Sequence, residues 1–256
     1  MSMRYADIAN KLGCTERQVR GWINNHCTKK NRDYKDSYFD VIDTPAKAYF
    51  LGFIYADGWI TYRTVNCMNV GHEFAMQLQI RDRYILERLN SELGDAHIVT
   101  DSEKTITICN NKNESHTEFS ILRVYSARIV RALIANGISS NKTYSKIYPT
   151  VDGELFSHFL RGYFDGDGCV SANSRGKAQV HFTAFGVSFL EYIQRVLSER
   201  YGIRSSIYAC NERKHRLMLF RHDDVRAFCD LIYRDSANLR LERKYNKFVN
   251  LNGLAA

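Results

Sequence analysis

Two acidic residues, Asp57 and Asp167, each close an apolar run and each precede a glycine. The runs are Phe50-Leu51-Gly52-Phe53-Ile54-Tyr55-Ala56-Asp57-Gly58 and Leu160-Arg161-Gly162-Tyr163-Phe164-Asp165-Gly166-Asp167-Gly168. The acids lie 110 residues apart, a spacing that suits one small domain per copy. Runs apolar nearly all round mark buried helices. Gly52 and Ala56 fall on one helical face, as do Gly162 and Gly166. Small residues at that spacing let two helix backbones approach closely. Side-by-side packing would bring Asp57 and Asp167 together at the C-terminal ends of the helices. Two carboxylates there repel each other, because each also sits at the negative end of a helix dipole. A hard divalent cation with oxygen ligands relieves that cost, and phosphates of a polyanion would complete its shell.

The elements that must carry these acids repeat in order. Thr44-Pro45 starts a helix, with Thr as cap and proline at its first position, and the helix runs to about Ala56. Strands follow at Trp59–Val65 and Glu73–Arg81. Ile85, Leu86, Leu89 and Leu93 then mark a helix that Gly94 ends. Further strands are expected at Thr105–Cys109 and Glu118–Tyr125, and a helix at Ser126–Asn136. The second half predicts a helix at Gly153–Asp165 and strands at Cys169–Asn173 and Gln179–Thr183. A helix with Phe189, Ile193, Val196 and Leu197 inward follows. Strands at Ser205–Ala209 and Arg216–Phe220 and a helix at Asp223–Arg234 complete the repeat, and a helix at Glu242–Leu251 closes the chain. This is an α+β chain of two pseudo-symmetric αββαββα domains, 44–148 and 149–256.

Ahead of them, residues 1–27 read as a helix-turn-helix segment. Ala6, Ile8, Ala9 and Leu12 line the first helix, and Gly13 stops it. Thr15 caps the second, with Gln18 three residues on as in a capping box. Val19, Trp22 and Ile23 form its inner face, leaving Arg17, Gln18 and Arg20 outward for DNA. Residues 28–43 have the polar, charged composition of a linker.

The balance of 36 Lys and Arg against 28 Asp and Glu gives a net charge of +8, which suits a phosphate-binding surface. Seven cysteines lack paired spacing, which argues against a disulfide framework and for a reducing, intracellular, cytoplasmic setting. No apolar run is long enough to span a bilayer, so no membrane partner is expected.

With both motifs in place, the chain resembles the single-chain, two-motif LAGLIDADG homing endonucleases, over about residues 38–251. The stretch Tyr38-Phe39-Asp40…Ala48-Tyr49-Phe50-Leu51-Gly52 leading to Asp57 is similar to the first motif of many bacterial and phage members, and Phe159 to Gly168 to the second. The resemblance implies saddle-shaped antiparallel sheets and metal-dependent double-strand cleavage of a long asymmetric DNA site by a monomer. Asp57 and Asp167 would share two or three divalent ions, Mg²⁺ by expectation. The acid two positions earlier is Asp165 in the second motif but Tyr55 in the first, a departure from the family pattern. Lys142 and Lys244, at equivalent places, would stabilise the charged transition state or polarise water. Gln79 and Thr183 would orient the attacking water.

Strand alternation supplies the surface for reading DNA. Phe74, Met76, Leu78 and Ile80 are expected inward, with Gln77, Gln79 and Arg81 outward. In the other half, Gln179, His181 and Thr183 face outward against Val180 and Phe182. Thr61 and Arg63 correspond to Ser171, Asn173 and Arg175. Amides suit adenine edges and arginine suits guanine in the major groove. The same fold could instead serve a non-cleaving DNA-binding regulator, although this chain keeps both acids. It could also serve an intron RNA maturase. An intein is disfavoured, since the chain starts with Met1 and ends Leu254-Ala255-Ala256.

Overall fold

The computed structural model describes residues 5–19, 34–65, 68–107, 114–140, 147–151, 153–173 and 176–252. Helix α1 (Tyr5–Leu12) stands first. The first half then runs α2 (Pro45–Asp57), β1 (Gly58–Val65), β2 (Met68–Gln79), α3 (Arg83–Glu92), β3 (Val99–Thr107), β4 (Glu114–Tyr125) and α4 (Ala127–Ala135). The second runs α5 (Leu155–Asp167), β5 (Cys169–Ala172), β6 (Ala178–Phe185), α6 (Ser188–Tyr201), β7 (Ser206–Ala209), β8 (Lys214–Leu219) and α7 (His222–Tyr233), and α8 (Glu242–Asn252) follows. The αββαββα repeat is therefore observed.

Each half forms a four-stranded antiparallel sheet, in the order β1-β2-β4-β3 and β5-β6-β8-β7. One face of each sheet is apolar and buried: Ile60, Phe74, Met76, Leu122 and Val124 in the first, Val170, Val180, Phe182, Leu217 and Leu219 in the second. Period-two alternation produces that face, and the helices cover it. Side chains at Ile85, Leu86 and Leu89 bury one stripe of α3, and Phe189, Ile193, Val196 and Leu197 one stripe of α6. Thr44 caps α2, its Oγ1 accepting from Lys47 N at 3.3 Å, as its sequence predicts.

Several boundaries differ from expectation. The second strand starts at Met68 and stops at Gln79, and Ile80–Asp82 turn into a 3₁₀ helix. Arg81 therefore lies past the strand, and Ile80, expected inward, is 38% exposed. Strand β3 starts at Val99, well before Thr105. Each acid-bearing helix includes its final aspartate.

Residues 34–43, expected as linker, fold onto the first half. Phe39 is fully buried, Tyr38 OH donates to Glu92 Oε2 at 3.2 Å, and Asn136 Nδ2 donates to the Phe39 carbonyl at 2.9 Å. The charged residues of this stretch stay outside, where Arg128 pairs with Asp40 at 2.6 Å and Asp36 at 3.3 Å.

At the N-terminus, Gly13 adopts φ +62° after α1. The capping box forms: Thr15 N donates to Gln18 Oε1 at 2.9 Å and Gln18 N to Thr15 Oγ1 at 3.3 Å. Ala9 and Val19 are buried, but Leu12, expected inward, is 60% exposed. Arg17 and Gln18 are exposed, whereas Arg20, Trp22 and Ile23 lie outside the described residues. Among the described residues Cys14, Cys169, Cys210 and Cys229 are free thiols, and no helix is long and apolar enough to cross a membrane.

Candidate active site at the paired helix ends

Helices α2 and α5 join the halves, and glycine makes the join possible. A Cβ on Gly52 would overlap the Phe159 carbonyl and stand 2.8 Å from Tyr163 N. A Cβ on Gly162 would overlap the Tyr49 carbonyl and stand 2.9 Å from Phe53 N. The two backbones are thus in contact, as the small-residue spacing predicts. Near the ends, a Cβ on Gly166 would overlap that of Ala56 and lie 3.2 Å from Asp57 Oδ2. The first acid therefore sits against the last turn of the helix that ends in the second. Both Asp57 and Asp167 are exposed, so the pair opens to solvent.

Beneath them lies an aromatic floor. Tyr163 is buried, and its hydroxyl is pushed far up by burial first, then by Asp167, Tyr55 and Asp57. Tyr55 is pushed up to about 12, by burial and then by Asp167. Tyr55 packs against the rings of Tyr163 at 5.8 Å and Phe189 at 4.7 Å. Its partner position holds Asp165, fully buried and surrounded by donors. Asp165 accepts from Leu241 N at 2.8 Å, Tyr49 OH at 3.0 Å and Tyr233 OH at 3.1 Å. Burial raises the Asp165 carboxyl, while these donors and Lys244 act in the opposite direction. Arg161, also buried, donates to the carbonyls of Leu239 and Ile232 at 3.0 Å and to His158 Nδ1 at 3.0 Å.

Lys244 is buried, and its ammonium donates to the carbonyls of Phe164 at 2.7 Å, Gly166 at 2.9 Å and Gly168 at 2.6 Å. Those three contacts engage all three protons. They place a positive charge at the C-terminus of α5, beside Asp167, where a helix dipole favours it. Burial lowers this ammonium to about 8, while Asp165, Asp57 and Asp167 hold it up. The start of α8 is itself gripped by the first half. Arg243 Nε bonds the buried Asp82 at 2.9 Å, and Tyr84 OH donates to the Arg240 carbonyl at 3.0 Å. Lys142 lies outside the described residues.

Outside the buried faces, the sheets present polar side chains. In β2, Gln77 and Gln79 are exposed, and Thr61 of β1 is half-buried on the same face. Arg63 lies further along β1, paired with Gly71. In the second half, Ser171, Gln179, His181 and Thr183 are half-buried outward, with Gln179 Nε2 donating to Ser171 Oγ at 3.0 Å. Asn173 closes the β5–β6 turn, its Oδ1 accepting from Lys177 N at 3.0 Å. Arg175 lies outside the described residues.

Strand register corrects one equivalence. Trp59, two residues after Asp57, pairs with Ala75. Cys169, two residues after Asp167, pairs with His181. Thr183 therefore matches Gln77, not Gln79, and Gln79 matches Phe185. Gln79 instead lines a separate cleft with Arg81, Glu103 and His116.

Sequence reading also missed outward residues of the partner strands. Arg123 of β4 pairs with Glu73. Lys214 and Arg216 of β8 face outward, opposite Phe185 and Thr183. Alternation in Lys214–Leu219, with Leu217 and Leu219 buried, is the signal that would have found them.

The donors at the helix ends are carboxylates and carbonyls, hard oxygens that suit a hard divalent cation. Among the described residues no third His, Cys, Asp or Glu joins them. Such a pair fits an ion that keeps much of its own water and takes further oxygens from a phosphate.

Comparison with known proteins agrees with this fold. Residues 155–233 match the family described as LAGLIDADG-like domain. The homing endonuclease I-DmoI, in complex with DNA and Ca, aligns at 15% identity over 82% of this chain and 97% of its own, with a TM-score of 0.53. The homing endonuclease I-WcaI, bound to its DNA recognition sequence, aligns at 11% identity over 81% of this chain and 87% of its own, with a TM-score of 0.54. The architecture is the LAGLIDADG homing-endonuclease fold. A curated relative is the ribonucleoside-diphosphate reductase NrdEB subunit alpha of Bacillus subtilis (strain 168), 22% identical over 186 residues. That match takes in 70% of this chain but spans only 16% of the reductase subunit.

Proposed function

We propose that this chain is a site-specific DNA endonuclease that hydrolyses one phosphodiester on each strand of a long, asymmetric duplex site. The observation that carries the reading is the convergence of Asp57 and Asp167 at the ends of two helices in backbone contact. Two similar but unequal sheets flank them, each with a polar outer face. The solved neighbours that share the fold include homing endonucleases bound to DNA with Ca and, for one I-DmoI variant, with Mn. Because one chain supplies both acids, a monomer suffices.

Asp57 and Asp167 would hold divalent ions, by our reading Mg²⁺. Bound there, such ions polarise the phosphoryl oxygens and lower the pKa of water. The protein's own groups do the rest. A water oxygen bonds to phosphorus, the bond to the leaving sugar oxygen breaks, and that oxygen takes up a proton as the water loses one. Gln77 and Thr183, at equivalent positions, orient the water in this reading. Gln79 in its separate cleft reads DNA. Lys244 acts as a positioning residue: it fixes the final turn of α5 and so the direction of Asp167. Lys142 is assigned the corresponding role in the first half.

Thr61, Arg63, Gln77, Gln79 and Arg81 would read one half-site. Ser171, Asn173, Arg175, Gln179, His181 and Thr183 would read the other. Arg216 joins that second set, since its Nε is buried without a hydrogen-bond partner among the described residues. The N-terminal segment would add DNA contacts through Arg17, Gln18 and Arg20 as a helix-turn-helix.

The test is cleavage of a randomised duplex library with Mg²⁺, followed by sequencing of the cut ends. Asp57→Asn and Asp167→Asn run beside the wild type. We expect discrete cuts at one long asymmetric site, lost in both variants. Selective binding without cutting, unaltered in the variants, would replace the nuclease with a regulator or an RNA maturase.

A further inference from the structure

The two halves differ in charge at two register positions of their partner strands, Ile121 against Arg216 and Phe119 against Lys214. In the first half Gln77 pairs with Ile121 and Gln79 with Phe119. In the second, Thr183 pairs with Arg216 and Phe185 with Lys214. Since Gln77 matches Thr183, Phe119 matches Lys214. A cation in one half thus stands where the other half has an aromatic ring.

Lys214 also faces the acid. A cavity of about 340 Å³ is lined by Tyr55, Tyr163, Asp167, Thr183, Phe185 and Lys214. Lys214 is exposed, and its ammonium stands 5.8 Å from the centre of the Phe185 ring. It makes no ion pair among the described residues. Lys244 cannot serve an anion in this cavity without giving up a bond to one of the carbonyls at the helix end, because its three protons are engaged. Lys214 is therefore the cation poised to meet a phosphate over Asp167.

We propose that Lys214 contacts the scissile phosphate held over Asp167 and stabilises its developing charge, so that this strand is cut faster than the strand served by the Phe119 side. The inference rests on the nuclease reading. It adds a catalytic residue and an order of strand cleavage.

The experiment uses the duplex recovered from the library, with a different fluorophore on each strand, in single-turnover reactions with Mg²⁺. Wild type should cut one strand first. Lys214→Met should slow that strand about a hundredfold and leave the other unchanged, the size of effect seen when one transition-state donor is removed. Lys214→Arg should restore most of the loss. A second readout needs no chemistry: in EDTA, the slope of log affinity against log salt should fall by about one in Lys214→Met. Equal strand rates in wild type, equal slowing of both strands, or an unaltered salt slope overturns the role of Lys214 and leaves the nuclease standing. Failure of wild type to cut either strand overturns both.

Discussion

The two acid-bearing helices have the same length and end in the same residue, yet the residue two before that acid differs in kind and in surroundings. In α5, the position two before the acid is Asp165, which three donors surround. The carbonyls of the last turn converge on Lys244. In α2 the same position is Tyr55, held by the rings of Tyr163 and Phe189. At that position a carboxylate among donors stands in one helix and a tyrosine among rings in the other. The repeat thus keeps a carboxylate at each helix end and varies the residue two positions before it.

What the halves share should be the least tolerant of change. Gly52→Ala and Gly162→Ala each drive a methyl group into the backbone of the opposite helix, which cannot step aside as a side chain can. We expect losses of at least about 3 kcal/mol, at the upper end of overpacking penalties, with failure to fold as the extreme. Thermal melts of both variants check this. A loss under 1 kcal/mol, on the order of a tolerated core swap, would mean that the helices can slide apart and that the acids are less rigidly paired.

What the halves do not share should separate them. Asp165→Asn removes a buried negative charge from between Arg161 and Lys244, and we expect a cost of about 3–5 kcal/mol. Tyr55→Phe removes one hydroxyl from a packed site and should cost about 1 kcal/mol. Denaturant titrations of the two variants give the comparison directly. Equal costs would show that the polar network adds nothing beyond the packing. Lys244→Met falls between them. It takes the Lys244 donor from the buried Gly168 carbonyl, while the Phe164 carbonyl keeps the Gly168 N–H at 2.8 Å, so the cost is about 1–3 kcal/mol for the one orphaned group.

The sequence announces the motifs because each compresses its message into a few adjacent residues. Apolar residues all round, a small residue every turn and an acid before glycine predict a buried, closely packed, acid-tipped helix. Supports from distant parts of the chain are silent. Nothing near Lys244 says that it will cap carbonyls at Phe164, Gly166 and Gly168, and nothing near Asp82 says that it will hold Arg243. Strand parity is legible within β2 and β6, but matching one strand to the other requires the hydrogen-bond ladder. From sequence alone Gln79 therefore looks equivalent to Thr183, whereas the ladder matches Gln77 to it. Composition misled at residues 34–43, where many charges hide the two rings, Tyr38 and Phe39, that anchor the segment.

The mildest difference between the halves lies on their outer faces. Arg123 of the first sheet is paired with Glu73. The register gives the second sheet Met218 and Gln179 at these positions. An acid on a surface proposed to meet phosphates repels them and occupies an arginine that could bind one. The pair itself adds little to folding, since Arg123 is 46% exposed and water screens it. Glu73→Gln should therefore leave the melting temperature nearly unchanged, because the median exposed ion pair contributes only about 0–1 kcal/mol. It should tighten DNA binding and steepen its salt dependence as Arg123 becomes available to a phosphate. Fluorescence anisotropy across a salt series measures both. Weaker binding would mean that Glu73 positions Arg123 for a base edge, and the first sheet would then read DNA through the pair that the second sheet lacks.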